Sequence, residues 1–324
     1  MSETSLSLDR PGTSVAASRV AVLLSTYNGS RFLSAQLDSF LAQRHGAWTL
    51  FWRDDGSTDG TPAALSGFAR RSGSGRCVQV SRPPGRVGVA GSYLALLRAA
   101  LPQLAQGDAV AFADQDDVWL PDKLARGMAA LAKVPRGVPA LYCARQVLVD
   151  AKLHRIGLSP AFVRPPGFPA ALTQNIATGC TVLLNHAAAA LVAGSQPPPG
   201  TLHDWWSYLL VSAAGGRVLT DDEPVLLYRQ HAGNVVGAQR SRLRRALAAA
   251  RRGPGPFMAD FRRHLNGLAA HAELLTPAAR RDICLLQHAI AGGPLHRLAA
   301  LALPGLRRSH WSEGVLFRLW FVIG

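Results

Sequence analysis

Asp114, Asp116 and Asp117 stand together in the run VAFADQDDVWLP at 110–121. Residues 110–113 are apolar, as the end of a buried strand is, so the three acids fall in the loop beyond that strand's carboxyl end. In open α/β sheets, ligands bind at this edge. Crowded carboxylates repel one another unless a positive charge lies between them. A hard divalent cation such as Mg²⁺ or Mn²⁺ takes oxygen ligands and bridges to phosphate, so the cluster could hold one. A solvated acidic turn would carry the same residues. Asp122, after Pro121, offers a negative charge to the start of a helix expected over 123–131.

A second acidic group, Asp54, Asp55 and Asp59, lies in RDDGSTDGT at 53–61 and ends an apolar run at 48–52. Alone it could be a capping loop. Two carboxylate clusters, each ending the strand of a βα unit, make a stronger pattern. A third group, Asp221 to Glu223, reads as a solvated turn between strands at 218–220 and 225–228.

The elements that must position these acids follow in order. An apolar strand at 20–24 stops at STYNG, where Asn28 and Gly29 mark a turn. A helix follows with Ser30 as its expected N-cap, and Phe32, Leu33, Leu37, Phe40 and Leu41 share one face. The free N–H groups at its start suit a nucleotide. Pro62 sits in the first turn of the next helix. A short strand at 77–80, a Pro/Gly-rich loop at 82–91 and a helix at 92–101 lead to the strand entering Asp114. Residues 19–132 thus read as repeated βα units, hence an α/β doubly wound sheet. Residues 175–184 read as a turn and a strand starting at Cys180.

The chain has 324 residues, 48% of them hydrophobic, which suits a folded α/β domain with an appendage. Its four cysteines are scattered without a CxxC pair, against a zinc site or a disulfide framework. Residues 1–18 read as a flexible leader without the apolar core of a signal peptide. No apolar run reaches the ~18 residues of a membrane span. The net charge is +15, and from Arg240 onward fourteen arginines face four acids, a net +10. The chain therefore divides near 240 into a mixed-charge body and a basic, helical C-terminal region (240–324). In that region Thr276 and Pro277 open a helix running to 291, another is expected over 257–275, and the apolar end carries Trp311 and Trp320. No helix-turn-helix, zinc or RNP signature supports a nucleic-acid-binding reading.

The segments STYNG (25–29), DDGS (54–57), DQDDVW (114–119), NIATGCT (175–181) and YRQHAGNV (228–235), in this order, resemble the family 2 glycosyltransferases of GT-A fold. The resemblance covers roughly 19–237 and is nearest to the bacterial rhamnosyltransferase-like branch that decorates cell-surface polysaccharides. It implies a Rossmann-like, mostly parallel sheet over 19–239 with a helical C-terminal extension. It implies that Ser25 and Tyr27 line the nucleotide pocket and that Asp55 hydrogen-bonds the base. Asp114 would reach the ribose or the metal, and Asp116 would hold the divalent cation (Mg²⁺ or Mn²⁺) at the diphosphate. His231 would be a further ligand or a phosphate contact; a structural role is the other reading.

Displacement at an anomeric carbon also needs a base for the acceptor hydroxyl. Asp204, in TLHDWW at 201–206, matches the acid that serves inverting enzymes of the family; it could instead only cap the helix at 206–213. Trp205 and Trp206 could stack on a sugar or belong to the core. The expected activity is metal-dependent, inverting transfer of a sugar such as rhamnose from a dTDP- or UDP-linked donor. The acceptor would be a cell-surface polysaccharide or lipid-linked glycan, with the protein cytoplasmic or peripheral on the inner face of the membrane. The basic tail would then meet anionic headgroups, or its helices would pack on the catalytic domain. The alternatives are a catalytically silent nucleotide-sugar binder and a basic nucleic-acid-binding protein.

Overall fold

The computed structural model describes residues 18–81, 85–231 and 253–324. Most of the expected leader, the end of the last motif (232–235) and the arginine run at 240–252 lie outside them. The first half alternates strand and helix: β1 (Val20–Thr26), α1 (Ser30–Leu41), β2 (Trp48–Asp54), α2 (Thr61–Arg71), β3 (Cys77–Gln79), α3 (Gly88–Ala100) and β4 (Ala109–Ala113). β5 (Val118–Trp119), α4 (Lys123–Leu131), β6 (Ala140–Val149), β7 (Arg155–Leu158), β8 (Leu183–Asn185), α5 (His186–Ala193), α6 (His203–Ala213) and β9 (Arg217–Arg229) follow. The described C-terminal helices are α7 (Pro254–Ala269), α8 (Pro277–Ala291), α9 (Pro294–Ala300) and α10 (Trp311–Ile323).

One sheet runs β3-β2-β1-β4-β8-β6-β9-β5, with β7 paired to β6. β3, β2, β1 and β4 pair in parallel, and β9 is parallel to β6. β8 pairs antiparallel with β4 and β6, as does β5 with β9. Parallel strands are covered on both faces, which is why β1, β2 and β4 are apolar without alternation. Leu23, Phe51, Val110 and Phe112 face α3, α5 and α6. Val22, Leu50, Trp52 and Ala111 face α1, α2 and α4.

The C-terminal helices add to the first of these cores. Met258, Phe261 and Leu265 of α7, Ile283 and Leu286 of α8, and Phe317 and Phe321 of α10 are buried in the cluster that holds Trp206 and Leu209 of α6. Of the two readings of the tail, packing on the α/β domain is realised by these helices. No helix among the described residues is long and apolar enough to cross a membrane.

Several local expectations shift. Gly29, not Ser30, occupies the N-cap of α1, and the Ser30 N–H donates to Asp59 Oδ2 (3.1 Å). Leu41 is 49% exposed and leaves the core face of α1. α3 begins at Gly88, four residues before the expected start, because the N–H groups of Val87 and Gly88 donate to the Asp55 carboxylate (3.1 and 2.9 Å). Residues 179–181 form a 3₁₀ turn, so the strand expected from Cys180 begins only at Leu183. The Asp221 region is no solvated turn: β9 runs through it, and Asp221 accepts from the Arg126 Nε (2.9 Å) and the Tyr142 hydroxyl (2.7 Å). Thr276 caps α8 as expected, accepting from the Ala279 N–H (3.1 Å).

Candidate active site

The carboxyl ends of β1, β2 and β4 lie side by side because the register pairs Leu24 with both Trp52 and Ala113. Their loops bring the 25–29, 54–59 and 114–117 segments together. Gln115 ties two of them: its Oε1 accepts from the Tyr27 N–H (2.9 Å) and its Nε2 donates to the Tyr27 carbonyl (3.0 Å). A Cβ at Gly29 would come within 2.2 Å of Gln115 Oε1 and would push that side chain off Tyr27. Ser25 lies half-buried near the end of β1, and Tyr27 is 38% exposed beside it.

The β2 cluster is satisfied from within. Asp54 accepts from the Thr26 hydroxyl (3.0 Å) and the Ser57 N–H (2.9 Å). Asp59 accepts from the Thr61 N–H and hydroxyl (3.0 and 2.6 Å) as well as from Ser30. Asp55 is buried and pairs with the buried Arg53 (2.9 Å). Burial pushes its carboxyl up, but the Val87 N–H, Arg53 and the Gly88 N–H outweigh it and leave Asp55 below the usual range. The Arg86 guanidinium lies 3.6 Å from the centre of the Tyr27 ring and 3.9 Å from Asp55.

The β4 cluster differs. Asp114 is raised to about 7, by burial first and then by the charge of Asp116; the Tyr93 hydroxyl, 3.0 Å away, opposes this. Asp117 is fully buried, and burial with the charges of Asp114 and Asp116 lifts it well above the usual range. Its Oδ1 accepts from the Arg229 N–H (3.2 Å), while Oδ2 has no hydrogen-bond partner among the described residues. Lys123 is buried with its Nζ 3.3 Å from the Trp119 ring centre, and burial lowers it to about 7. Asp116 and His231 pair with each other at 2.7 Å, and the Asp116 carbonyl accepts from Arg229 Nε (2.8 Å).

Ligand atoms of Asp114, Asp117 and Cys180 lie within 4.8 Å of one another. This grouping differs from the expected Asp114, Asp116 and His231, whose last two members are engaged together. The oxygen-rich donors, the mutual repulsion that lifts Asp114 and Asp117, and the unpartnered Asp117 Oδ2 fit a hard divalent cation. The Cys180 thiol, pushed well up by burial, is the softer member.

Asp204 lies near this cluster, and its charge contributes to raising Asp114. It lies in the first turn of α6 rather than at the cap, which is Leu202. Its Oδ2 accepts from the Gly179 N–H (3.0 Å), and its Oδ1 from the Trp205 N–H (2.6 Å); these and the nearby Asn175 side chain lower its carboxyl. Burial nevertheless raises Asp204 to about 6. A Cβ at Gly179 would lie 3.0 Å from His203 Nε2, so glycine lets this backbone approach α6 without displacing His203. Trp206 is core, its indole N–H donating to Ser195 Oγ (2.8 Å). Trp205 is half-buried and donates to the Ala171 carbonyl (2.8 Å).

Tyr93, Lys123, Cys180 and Arg229 escape sequence reasoning as site residues. Tyr93 and Lys123 lie outside the motifs, while Cys180 and Arg229 fall within NIATGCT and YRQHAGNV as residues with no expected role.

The profile of glycosyl transferase family 2 matches residues 21–188, more than half of the chain. The chain belongs to this family. The fold is GT-A: it is similar to that of Staphylococcus aureus TarS 1–349 in complex with UDP-GlcNAc, with a TM-score of 0.55, 15% identity, and coverage of 82% of this chain and 70% of TarS. An uncharacterized glycosyltransferase of Nostoc is 34% identical over 110 residues, 33% of this chain and 31% of its own length. The UDP-Glc:alpha-D-GlcNAc-diphosphoundecaprenol beta-1,3-glucosyltransferase WfgD of Escherichia coli is 28% identical over 114 residues, 35% of this chain and 41% of its own length. The chain thus spans less than half the length of the curated relatives it matches.

Proposed function

We propose that this family member is an inverting glycosyltransferase that moves a sugar from a nucleotide diphosphate donor to a glycan or lipid-linked acceptor. The observation that carries this is the proximity of two carboxyl groups, half-buried Asp114 and buried Asp204, near enough that the charge of Asp204 raises Asp114. The donor side has the cluster for a cation and diphosphate; the acceptor side has a positioned base.

Tyr27, Ser25 and Asp55 hold the nucleoside. Asp55 does so as an ionised acceptor whose orientation is set by Arg53 and the start of α3. Asp114 and Asp116, with Asp117 buried beneath them, hold the divalent cation. When bound, it supplies Lewis-acid stabilisation of charge on the departing diphosphate. His231 fixes the Asp116 carboxylate through their 2.7 Å contact and takes part in the cation site through it. Asp204 removes the acceptor hydroxyl proton as the sugar's anomeric carbon is attacked. A base lifted to about 6 is ionised at neutral pH and still basic enough to accept that proton.

The donor is a dTDP- or UDP-sugar, with rhamnose the first candidate from the motif resemblance. The acceptor belongs to cell-surface polysaccharide assembly, and the C-terminal region makes peripheral contact with the inner face of the cytoplasmic membrane. The E. coli relative, whose name gives a diphosphoundecaprenol-linked acceptor, supports a lipid-linked acceptor.

The test is thermal shift with dTDP-rhamnose, UDP-glucose, UDP-galactose and GDP-mannose, each with Mn²⁺, Mg²⁺ or EDTA, followed by the anomeric configuration of the product. A ligand at a hundredfold excess over Kd adds about 2.7 kcal/mol of stability. Stabilisation by one donor that EDTA abolishes, and an inverted product, are expected. A retained configuration would remove Asp204 as base, and stabilisation without turnover would favour the silent nucleotide-sugar binder.

A further inference from the structure

α10 carries apolar residues on both its buried and its outer side, with Ser312 and Arg318 exposed among the outer ones. Phe317, Trp320 and Phe321 are buried against α7, while Trp311, Val315, Leu319 and Ile323 recur four residues apart on the outer side, 78%, 59%, 53% and 59% exposed. Leu295 and Leu298 of the adjacent α9 are 80% and 57% exposed. The core covers only one of these two apolar sides, and exposed apolar residues that recur along one helix face mark an interaction surface.

The stripe adjoins a basic groove. The segment just before Trp311 lies along residues 164–174: Arg164 Nε donates to the Ser309 carbonyl (3.0 Å), Thr173 Oγ1 to the Arg307 carbonyl (3.1 Å), and the Ser309 N–H to Gln174 Oε1 (3.1 Å). Arg164, Gln174, Arg307 and Arg308 line the groove between them. Arg308 lies 3.6 Å from Glu313, whereas the Arg307 and Arg164 side chains reach solvent. Gln174 precedes Asn175, whose side chain lies near enough to Asp204 to lower its carboxyl. The groove therefore lies one residue along the chain from the acceptor side of the cleft.

We infer that α9, α10 and the 164–174/307–309 groove form one docking surface for an anionic bilayer. The Trp311 stripe enters the interface, and Arg164 and Arg307 take lipid phosphate groups. This rests on the peripheral membrane contact proposed above and names its surface. Cationic side chains beside an apolar helical face that carries Trp and Leu match an interface rich in anionic headgroups. Docking in this way would bring the acceptor side of the cleft to the membrane.

The test is flotation of the full chain with vesicles of pure phosphatidylcholine or with a phosphatidylglycerol fraction, together with tryptophan emission. Trp311 is the most exposed tryptophan among the described residues, so its blue shift reports insertion. Binding to anionic vesicles with a blue shift is expected, weakened at least tenfold by Trp311→Ser with Leu319→Ser. Arg164→Ala and Arg307→Ala should each weaken it about fivefold, and only on anionic vesicles. These exposed sites leave the core intact, which an unchanged melting temperature would verify. If the full chain floats but the stripe variant floats equally well, the surface is wrong while membrane contact survives. No flotation of the full chain would remove both. A dimer by light scattering that the stripe variant abolishes would make the face a contact between copies and overturn the inference. None of these readouts depends on donor turnover.

Discussion

The loops after β2 and β4 place acids at equivalent edges of adjacent parts of the sheet, yet their electrostatics are opposite. After β2, Asp55 meets a buried arginine and two N–H groups at the start of α3, and lies below its usual range. Asp54 and Asp59 are likewise consumed by local donors. After β4, half-buried Asp114 and buried Asp117 lie with Asp116 nearby and rise. The first cluster is complete as folded and shapes the loops proposed above to hold the nucleoside. The second retains repulsion that still lifts Asp114 and Asp117 despite Lys123, Arg229 and His231 beside it, and a divalent cation would relieve it. Carboxylate count alone does not distinguish a structural loop from a cation site; the donors that face each oxygen do.

The largest expected effect sharpens this contrast. Asp114→Asn or Asp116→Ala should lower turnover about a thousandfold, the several kcal/mol that a bound cation contributes to stabilising the leaving diphosphate. Steady-state kinetics with the donor named by thermal shift check it. Comparable loss in Asp59→Asn, with the fold intact, would break the distinction between the loops.

Next, Asp54→Ala should destabilise the protein by about 1–3 kcal/mol, because the Ser57 and Thr26 donors lose their acceptor. Chemical denaturation should show this loss to the same extent with Mn²⁺ and with EDTA. A loss that appears only with the cation would place Asp54 in the metal site.

On the acceptor side, kcat/KM should fall tenfold per pH unit below about 6, the value to which burial raises Asp204. The direction follows from the role: the protonated carboxyl that predominates below this value cannot accept a proton. Asp204→Asn should remove this limb along with most of the activity, about 10²–10⁴-fold. A limb that persists in Asp204→Asn would assign the titration elsewhere.

The smallest effect is on stability without cation. Asp114→Asn should raise the melting temperature in EDTA, by the equivalent of about 1 kcal/mol, because one of the repelling charges is gone. It should also reduce the further rise that Mn²⁺ produces in the unsubstituted protein. Calorimetry with and without metal checks both; an unchanged response to Mn²⁺ would remove Asp114 from the cation site.

Much of this was legible because it is local. The apolar runs of β1, β2 and β4, the proline at the start of α2, the Thr276 cap and the extent of α4 follow from residues close in sequence. So does the position of the acids past the strand ends. The start of α3 was not legible, because an aspartate more than thirty residues away holds its first N–H groups. Nor was β9, where Asp221 reads as a turn until Arg126 and Tyr142 come to it across the sheet.

By itself the sequence determined the α/β class, the order of the βα units and the carboxylates available for chemistry, since periodicity and turn chemistry act within a few residues. Tertiary structure alone decided which acids are relieved and which remain strained. Arg53 reaches Asp55, His231 reaches Asp116, and Asp204 comes to face Asp114 only when the strands are in register. It also decided that the tail's helices bury one side against α6 and leave the Trp311 side open. That partition depends on which surfaces meet, and a one-dimensional pattern of apolar residues does not contain it.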